Sequence, residues 1–213
     1  MKEFKGAIFD LDGTLIDSTD IWEKIDVKFL EKRNIKLPKD YIELANSMSF
    51  EDLAKYTIRR FNLNESIDEL IDEWNYMAIY EYSNNINLKP NAKEYLNKLR
   101  KNNISMGIAT SLPKKLYEPV LIKNKIYDYF NVIISVDDVK KDKNHLDIYF
   151  QTAKKLNLKP SECIVFEDIL LAINTLKSSD FNVVGVYDKS SHKDLQRIKE
   201  NSNLFIYNFK ELL

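Results

Sequence analysis

The sequence predicts an α/β fold: a mostly parallel sheet between helices in a three-layer α/β/α core, with a small all-helical domain inserted after the first strand. Three observations predict it. Short apolar runs recur at strand length, at 7–9, 105–109, 132–136, 163–166 and 183–187. Apolar residues at helical spacing separate most of them. Between about 18 and 83 strand patterns vanish. Strands alternating with helices imply right-handed crossovers and a sheet covered on both faces. In such sheets ligands sit beyond the carboxyl ends of the strands.

The run 7–9 is a buried strand that ends in Asp10, and the turn residues Gly13-Thr14 then swing the chain away from the sheet. Four helices fit the stretch that follows. Asp20 with Glu23 has capping-box spacing, and Ile21, Ile25 and Phe29 form an apolar stripe behind it. Pro38 suits the first turn of a second helix. Ser49 with Asp52, and Ser66 with Glu69, open the third and fourth. Ile67, Leu70, Ile71, Trp74 and Met77 line one side of the last. The expected division is therefore a core of 1–16 with 86–213 and a helical domain of 17–85, jointed at 15–18 and at the polar stretch 83–87. Past the joint, Ala92, Tyr95, Leu96 and Leu99 share a helix face before the strand at 105–109. Two more helix faces follow: Ile148, Thr152, Ala153 and Leu156, then Leu170, Ile173, Asn174 and Leu176. The stretch 204–207 is a sixth strand candidate.

Composition excludes several function classes. The chain has 213 residues, enough for one sizeable core with a small satellite, and a formal net charge of −1, so no basic field argues for nucleic acid or an anionic membrane. No apolar run approaches a membrane span, and residues 1–5 lead into a strand rather than a signal peptide. One cysteine, Cys163, rules out an internal disulfide framework and fits a reducing cytoplasm; at the start of a strand it reads as a small buried hydrophobe. Two histidines, His145 and His192, both expected to face solvent, argue against a His-rich metal site. The expectation is a cytoplasmic monomer without nucleic-acid or membrane partners.

Chemistry concentrates at the strand ends. Asp10-Leu11-Asp12-Gly13-Thr14-Leu15-Ile16-Asp17-Ser18 places two carboxylates two positions apart at the end of a buried run. Asp-Gly alone is ordinary turn chemistry. A calcium loop fails on spacing, since glycine falls fourth from Asp10 and Ile21 takes the twelfth place, where an EF-hand needs glycine sixth and glutamate twelfth. A carboxylate here can be a nucleophile, and its neighbour a proton donor and then a base. The full string resembles the nucleophile motif of the haloacid dehalogenase superfamily, in the Asp-x-Asp-Gly-Thr form of its phosphatases and phosphomutases.

Three further segments are similar to that superfamily's other motifs. Thr110-Ser111 ends the second run: a strand-tip hydroxyl and the amides opening a helix make a phosphate cradle, although Ser111 alone reads as a helix N-cap. Lys143, with Asp147 and Tyr149, matches the third motif, while Asp142, Asn144 and Leu146 replace its glycine and two prolines; by itself the lysine reads as solvated loop. Glu167-Asp168 matches the acidic fourth motif, with Ile169 and Ala172 where serine and glycine are usual; alone, the acids read as a helix-opening pair. The resemblance spans the chain and implies a Rossmann-like core with a C1-type helical cap.

Asp10, Glu167, Asp168 and a phosphate at one sheet edge demand a cation. One unit-charge pair at about 4 Å repels by roughly 4 kcal/mol at an effective dielectric near 20, and one lysine cannot offset several. Hard oxygen ligands favour Mg²⁺. The resemblance implies as ligands the Asp10 carboxylate, the Asp12 backbone carbonyl and Asp168, with Glu167 nearby or through water. It further implies a phosphomonoester hydrolase in which Asp10 is the nucleophile, Asp12 the acid and base, Lys143 the counter-charge, and a sugar phosphate or nucleotide the substrate. Trp22, Met48 and Ser49 are candidate cap contacts. The alternatives are a phosphomutase or an inactive binding relative. Against the mutase, Trp22 stands twelve positions after Asp10, where β-phosphoglucomutase-like relatives carry a histidine, and the stretch 46–50 lacks their phosphate-binding arginine.

Overall fold

The computed structural model describes residues 3–45, 48–135, 138 and 147–213. They cluster into two compact units, 1–19 with 86–213 and 20–85.

The larger unit is built on a six-stranded sheet in the order β3-β2-β1-β4-β5-β6, with every neighbouring pair parallel. The strands are β1 (Gly6–Phe9), β2 (Ser105–Thr110), β3 (Val132–Ser135), β4 (Cys163–Glu167), β5 (Asn182–Val186) and β6 (Leu204–Ile206). Each falls within a residue of its expected bounds; position 136 lies outside the described residues. β1 is buried on both faces, as a central parallel strand must be. On one face Phe9 stacks on Phe166 at 4.6 Å, with Tyr95 and Phe209 against Phe166. On the other, Ile8, Ala109, Ile134 and Val165 share a core with Ile148, Tyr149 and Ile173.

The helices of this unit include α5 (Ala92–Lys101), α6 (Lys114–Lys123), α7 (Asp147–Lys155), α8 (Leu170–Lys177) and α9 (Leu195–Asn201), with α1 to α4 in the smaller unit. α5 buries the four residues its spacing predicts. In α8 the buried set is Leu170, Ala172, Ile173 and Leu176, so Ala172 takes the place expected of Asn174, which faces solvent. The sequence has only four glycines, and Asn34, Asn62, Asn91, Asn103 and Asn157 take left-handed conformations that glycine usually fills.

Among the described residues the regular elements of the smaller unit are all helices: α1 (Ile21–Glu31), α2 (Tyr41–Ala45), α3 (Phe50–Phe61) and α4 (Ile67–Asn84). Ser66 and Glu69 form the expected reciprocal capping box, and the Ser49 hydroxyl caps α3 at the Asp52 amide. Asp20 does not cap α1: its φ −97°, ψ 13° lacks the extended geometry an N-cap side chain needs. Pro38 opens a turn whose carbonyl accepts from the Tyr41 amide, so α2 begins three residues later than expected. Phe29 and Trp74, both buried, pack ring against ring, and Trp74 also meets the exposed Phe50, with Trp22 edge-on to Phe50 at 5.7 Å.

Candidate active site

β1 and β4 are neighbours in register, Phe9 opposite Phe166, and the Asp10 amide donates to the Phe166 carbonyl at 3.1 Å. The acid that follows β1 and the two that close β4 therefore come to one place at the carboxyl edge of the sheet. Asp10, Glu167 and Asp168 each offer a carboxylate oxygen, all within 4.8 Å of one another, and all three residues are buried.

Their surroundings are fitted to carboxylates. Thr14 Oγ1 donates to Asp168 Oδ1 at 2.9 Å, and the Tyr149 hydroxyl donates to Glu167 Oε1 at 2.7 Å. The Asp168 amide donates to Glu167 Oε2 at 3.2 Å. Gly13, at φ +76°, brings bare backbone against Asp168; a Cβ there would lie 2.8 Å from its Cγ and closer still to Oδ2. Burial, and then the charges of Asp10 and Glu167, push the Asp168 carboxyl well above the usual carboxylate range, with Thr14 pulling the other way. Burial and the same acids hold the Tyr149 phenol far above its ordinary value, so it stays a donor. Three buried acids with hydroxyl and amide donors around them fit a hard divalent cation.

Asp12 sits at the mouth of the turn, half-buried, and accepts from Ser18 Oγ at 2.6 Å. The turn is closed by the Thr14, Leu15 and Ile16 amides, all bonded to the Leu11 carbonyl. Beyond it the outgoing and returning chains are tied together, Asp17 N to Asn87 O at 2.9 Å and Lys89 N to Leu15 O at 2.8 Å. Both are fastened at the buried Asp188, just past β5, whose carboxylate accepts from Thr19 Oγ1, Lys89 Nζ and Ser190. Burial raises the Asp188 carboxyl, but Lys89, Ser190 and Thr19 together hold it below the usual range.

At the tip of β2, Thr110 is buried and its Oγ1 accepts from the Leu112 amide at 3.1 Å. Ser111 is exposed and does not cap α6, contrary to its reading as an N-cap. The residue before a proline resists the helical conformation, so α6 starts only after Pro113. Lys143, with Asp142, Asn144, His145 and Leu146, lies outside the described residues. Cys163 is buried in β4 and its thiol is pushed up to about 11, chiefly by burial. His192 is exposed. In the helical unit Trp22 is 41% exposed, Met48 is partly buried, and Ser49 is engaged with Asp52 through both its donor and its acceptor.

The residue pattern does not mark Lys89 or Asp188 for the site, nor give Thr14, Ser18 or Tyr149 a partner. Asp188 carries a usable signal, an acid just past an apolar run, as at Asp10 and Asp168.

Among known proteins, the family profile described as haloacid dehalogenase-like hydrolase matches residues 7–186. Hexitol phosphatase B of Escherichia coli O157:H7 is 23% identical over 207 residues, covering 95% of this chain and 92% of its own. The β-phosphoglucomutase of Bacillus subtilis strain 168 is 28% identical over 199 residues, covering 85% and 83%. The crystal structure of a HAD hydrolase of family IA, variant 3, from Entamoeba histolytica aligns with TM-score 0.77 at 26% identity, over 99% of this chain and 96% of that one. Among the described residues no helix is long and apolar enough to cross a membrane.

Proposed function

The chain belongs to the haloacid dehalogenase-like hydrolase family, and from that premise we propose that it is a magnesium-dependent phosphomonoester hydrolase acting on a small phosphorylated metabolite. The observation that carries the reading is the buried trio Asp10, Glu167 and Asp168, with oxygens within 4.8 Å of one another at the carboxyl edge of β1 and β4. Those three side chains and the Asp12 carbonyl would hold Mg²⁺. When bound, the ion supplies the positive charge that lets an anionic nucleophile approach an anionic phosphoryl group.

The residues of the chain do the rest. An oxygen of Asp10 attacks phosphorus in line; the bond to the leaving oxygen breaks and an aspartyl phosphate forms. The Asp12 carboxyl gives its proton to the leaving alkoxide, then takes one from the water that hydrolyses the acyl phosphate. Ser18 Oγ, 2.6 Å from Asp12 Oδ1, orients that carboxyl. Thr110, Ser111 and Lys143 would hold the phosphoryl oxygens. The helical domain, 17–85, would act as the cap that chooses the leaving group, with Trp22, Met48 and Ser49 as contacts and sugar phosphates or nucleotides as the substrate class.

The test is release of phosphate from p-nitrophenyl phosphate. Turnover should need Mg²⁺, vanish in excess chelator, recover poorly with Ca²⁺, and be lost in Asp10→Asn. Full activity in chelator, or in Asp10→Asn, would refute the mechanism. A wild type without turnover on aryl phosphate or a panel of sugar phosphates and nucleotides would favour an inactive binding relative. Hydrolysis is favoured over isomerisation by Trp22, whose indole cannot shuttle a proton. With β-glucose 1-phosphate, Mg²⁺ and a bisphosphate primer, efficient conversion to glucose 6-phosphate with little free phosphate would reverse that choice.

A further inference from the structure

Tyr149 is the third residue of α7, the helix that packs across β1, β2 and β3. Its ring is enclosed by the core that also holds Ile8, Ala109, Val165 and Ile173, and it meets Phe181 edge-on at 6.5 Å. A ring packed this way has little rotational choice, and its hydroxyl ends 2.7 Å from Glu167 Oε1, with both residues fully buried. The other Glu167 oxygen is held by the Asp168 amide. Glu167 is thus gripped from two directions, from a helix across the sheet and from the backbone of its own strand end. A phenylalanine would fill the same apolar space, so packing alone does not call for the hydroxyl.

We propose that Tyr149 is a positioning residue of the acidic trio: its hydroxyl fixes the Glu167 carboxylate and so sets how tightly Asp10, Glu167 and Asp168 hold a divalent cation. The proposal rests on the metal-dependent reading above and names a residue outside the trio that tunes it. Tyr149 acts only through Glu167. Groups that orient a ligand in this way typically contribute about 10–100-fold to metal affinity.

The experiment is Mg²⁺ titration by calorimetry of the full chain in four forms: wild type, Tyr149→Phe, Glu167→Gln and the double variant. The Mg²⁺ dependence of p-nitrophenyl phosphate hydrolysis is followed in parallel. Tyr149→Phe should bind Mg²⁺ about 10–100-fold more weakly, while kcat at saturating Mg²⁺ stays within about threefold of wild type. A loosened fold would not divide the two quantities in that way. In the Glu167→Gln background the same change should move affinity by less than about twofold, because the anionic carboxylate through which Tyr149 acts on the metal is gone. Unchanged affinity in Tyr149→Phe overturns the proposal, as does a further tenfold loss in the Glu167→Gln background. Should Tyr149→Phe fail to fold by circular dichroism, the Mg²⁺ affinity of Glu167→Gln decides: an affinity within about twofold of wild type overturns the proposal, because a carboxylate that adds nothing to metal binding has no effect of Tyr149 to transmit. A wild type that binds no Mg²⁺ overturns the metal-dependent reading along with this one; a metal-binding wild type with an unshifted Tyr149→Phe overturns this one only.

Discussion

Replacing Gly13 with alanine should damage the site far more than it damages the fold. The backbone there has φ +76°, and left-handed geometry costs an L-residue roughly 1–2 kcal/mol. For a chain of this size that corresponds to a fall in melting temperature of about 2–8 °C. The second effect is steric. A methyl on Gly13 would stand 2.8 Å from Asp168 Cγ, which must retreat by at least about 0.6 Å to reach the 3.4 Å where ordinary contact begins, and Oδ2 must move further. A displacement approaching 1 Å in a group that positions reactants can cost on the order of 100-fold in rate. Asp168 cannot yield freely, since Thr14 holds its other oxygen. The assay is Mg²⁺-dependent kcat/KM on aryl phosphate beside a thermal melt, with Asn91→Ala as control. Asn91 has φ +63° on the far side of the returning linker and isolates the backbone cost. Gly13→Ala with activity within about threefold of wild type would refute the argument that Asp168 must stay where it is.

Asp12→Asn should keep the fold and Mg²⁺ binding, yet lose about 10²–10⁴-fold in turnover; a variant within twofold assigns the proton transfers elsewhere. Lys89→Met should strand the Asp188 carboxylate, which is 4% exposed. Breaking such a buried pair costs about 3–5 kcal/mol, so a loss under 1 kcal/mol in urea unfolding at pH 7 would contradict it. Asp26, buried in α1, is pushed up to about 7 by burial and then by the Glu23 charge. A carboxyl raised above its unfolded value near 3.8 contributes stability that is fully present below that value and lost as pH rises through about 7. Relative to Asp26→Asn, the wild-type melting temperature should therefore fall between pH 4 and pH 7; parallel curves would refute this.

What the residues reveal and what they hide divide by range. Strands β1, β2, β4 and β5 are legible because apolar runs bounded by turn residues are a local signal. β2 and β4 each run one residue further, through Thr110 and Glu167, because pairing with Ser135 and Gly185 holds polar side chains in extended backbone. Capping at Ser49 and Ser66 is equally local, whereas the non-extended backbone of Asp20, next to a Thr19 bonded to Asp188 169 residues away, has no signal in the local pattern. The same holds for the site. Asp10, Glu167 and Asp168 announce themselves as acids at the ends of apolar runs, and the sheet order brings them together. Tyr149 to Glu167 and Thr14 to Asp168 are contacts 18 and 154 residues apart, which no pattern along the chain encodes.

The placement of β1 has a consequence for how the protein comes into being. β1 is central and needs a neighbour on each side, yet Phe166 leaves the ribosome 157 residues after its partner Phe9. At 5–20 residues per second the wait is about 8–30 s. Throughout it, β1 has at most β2 beside it and shows a bare apolar edge of the kind that recruits other chains. Asp10 meanwhile stands without Glu167 and Asp168, so the acidic trio cannot assemble on the nascent sheet. Substitutions that weaken β1, β2 or α5 should accordingly act on the yield of folded protein, leaving the molecules that do complete the sheet with an intact centre.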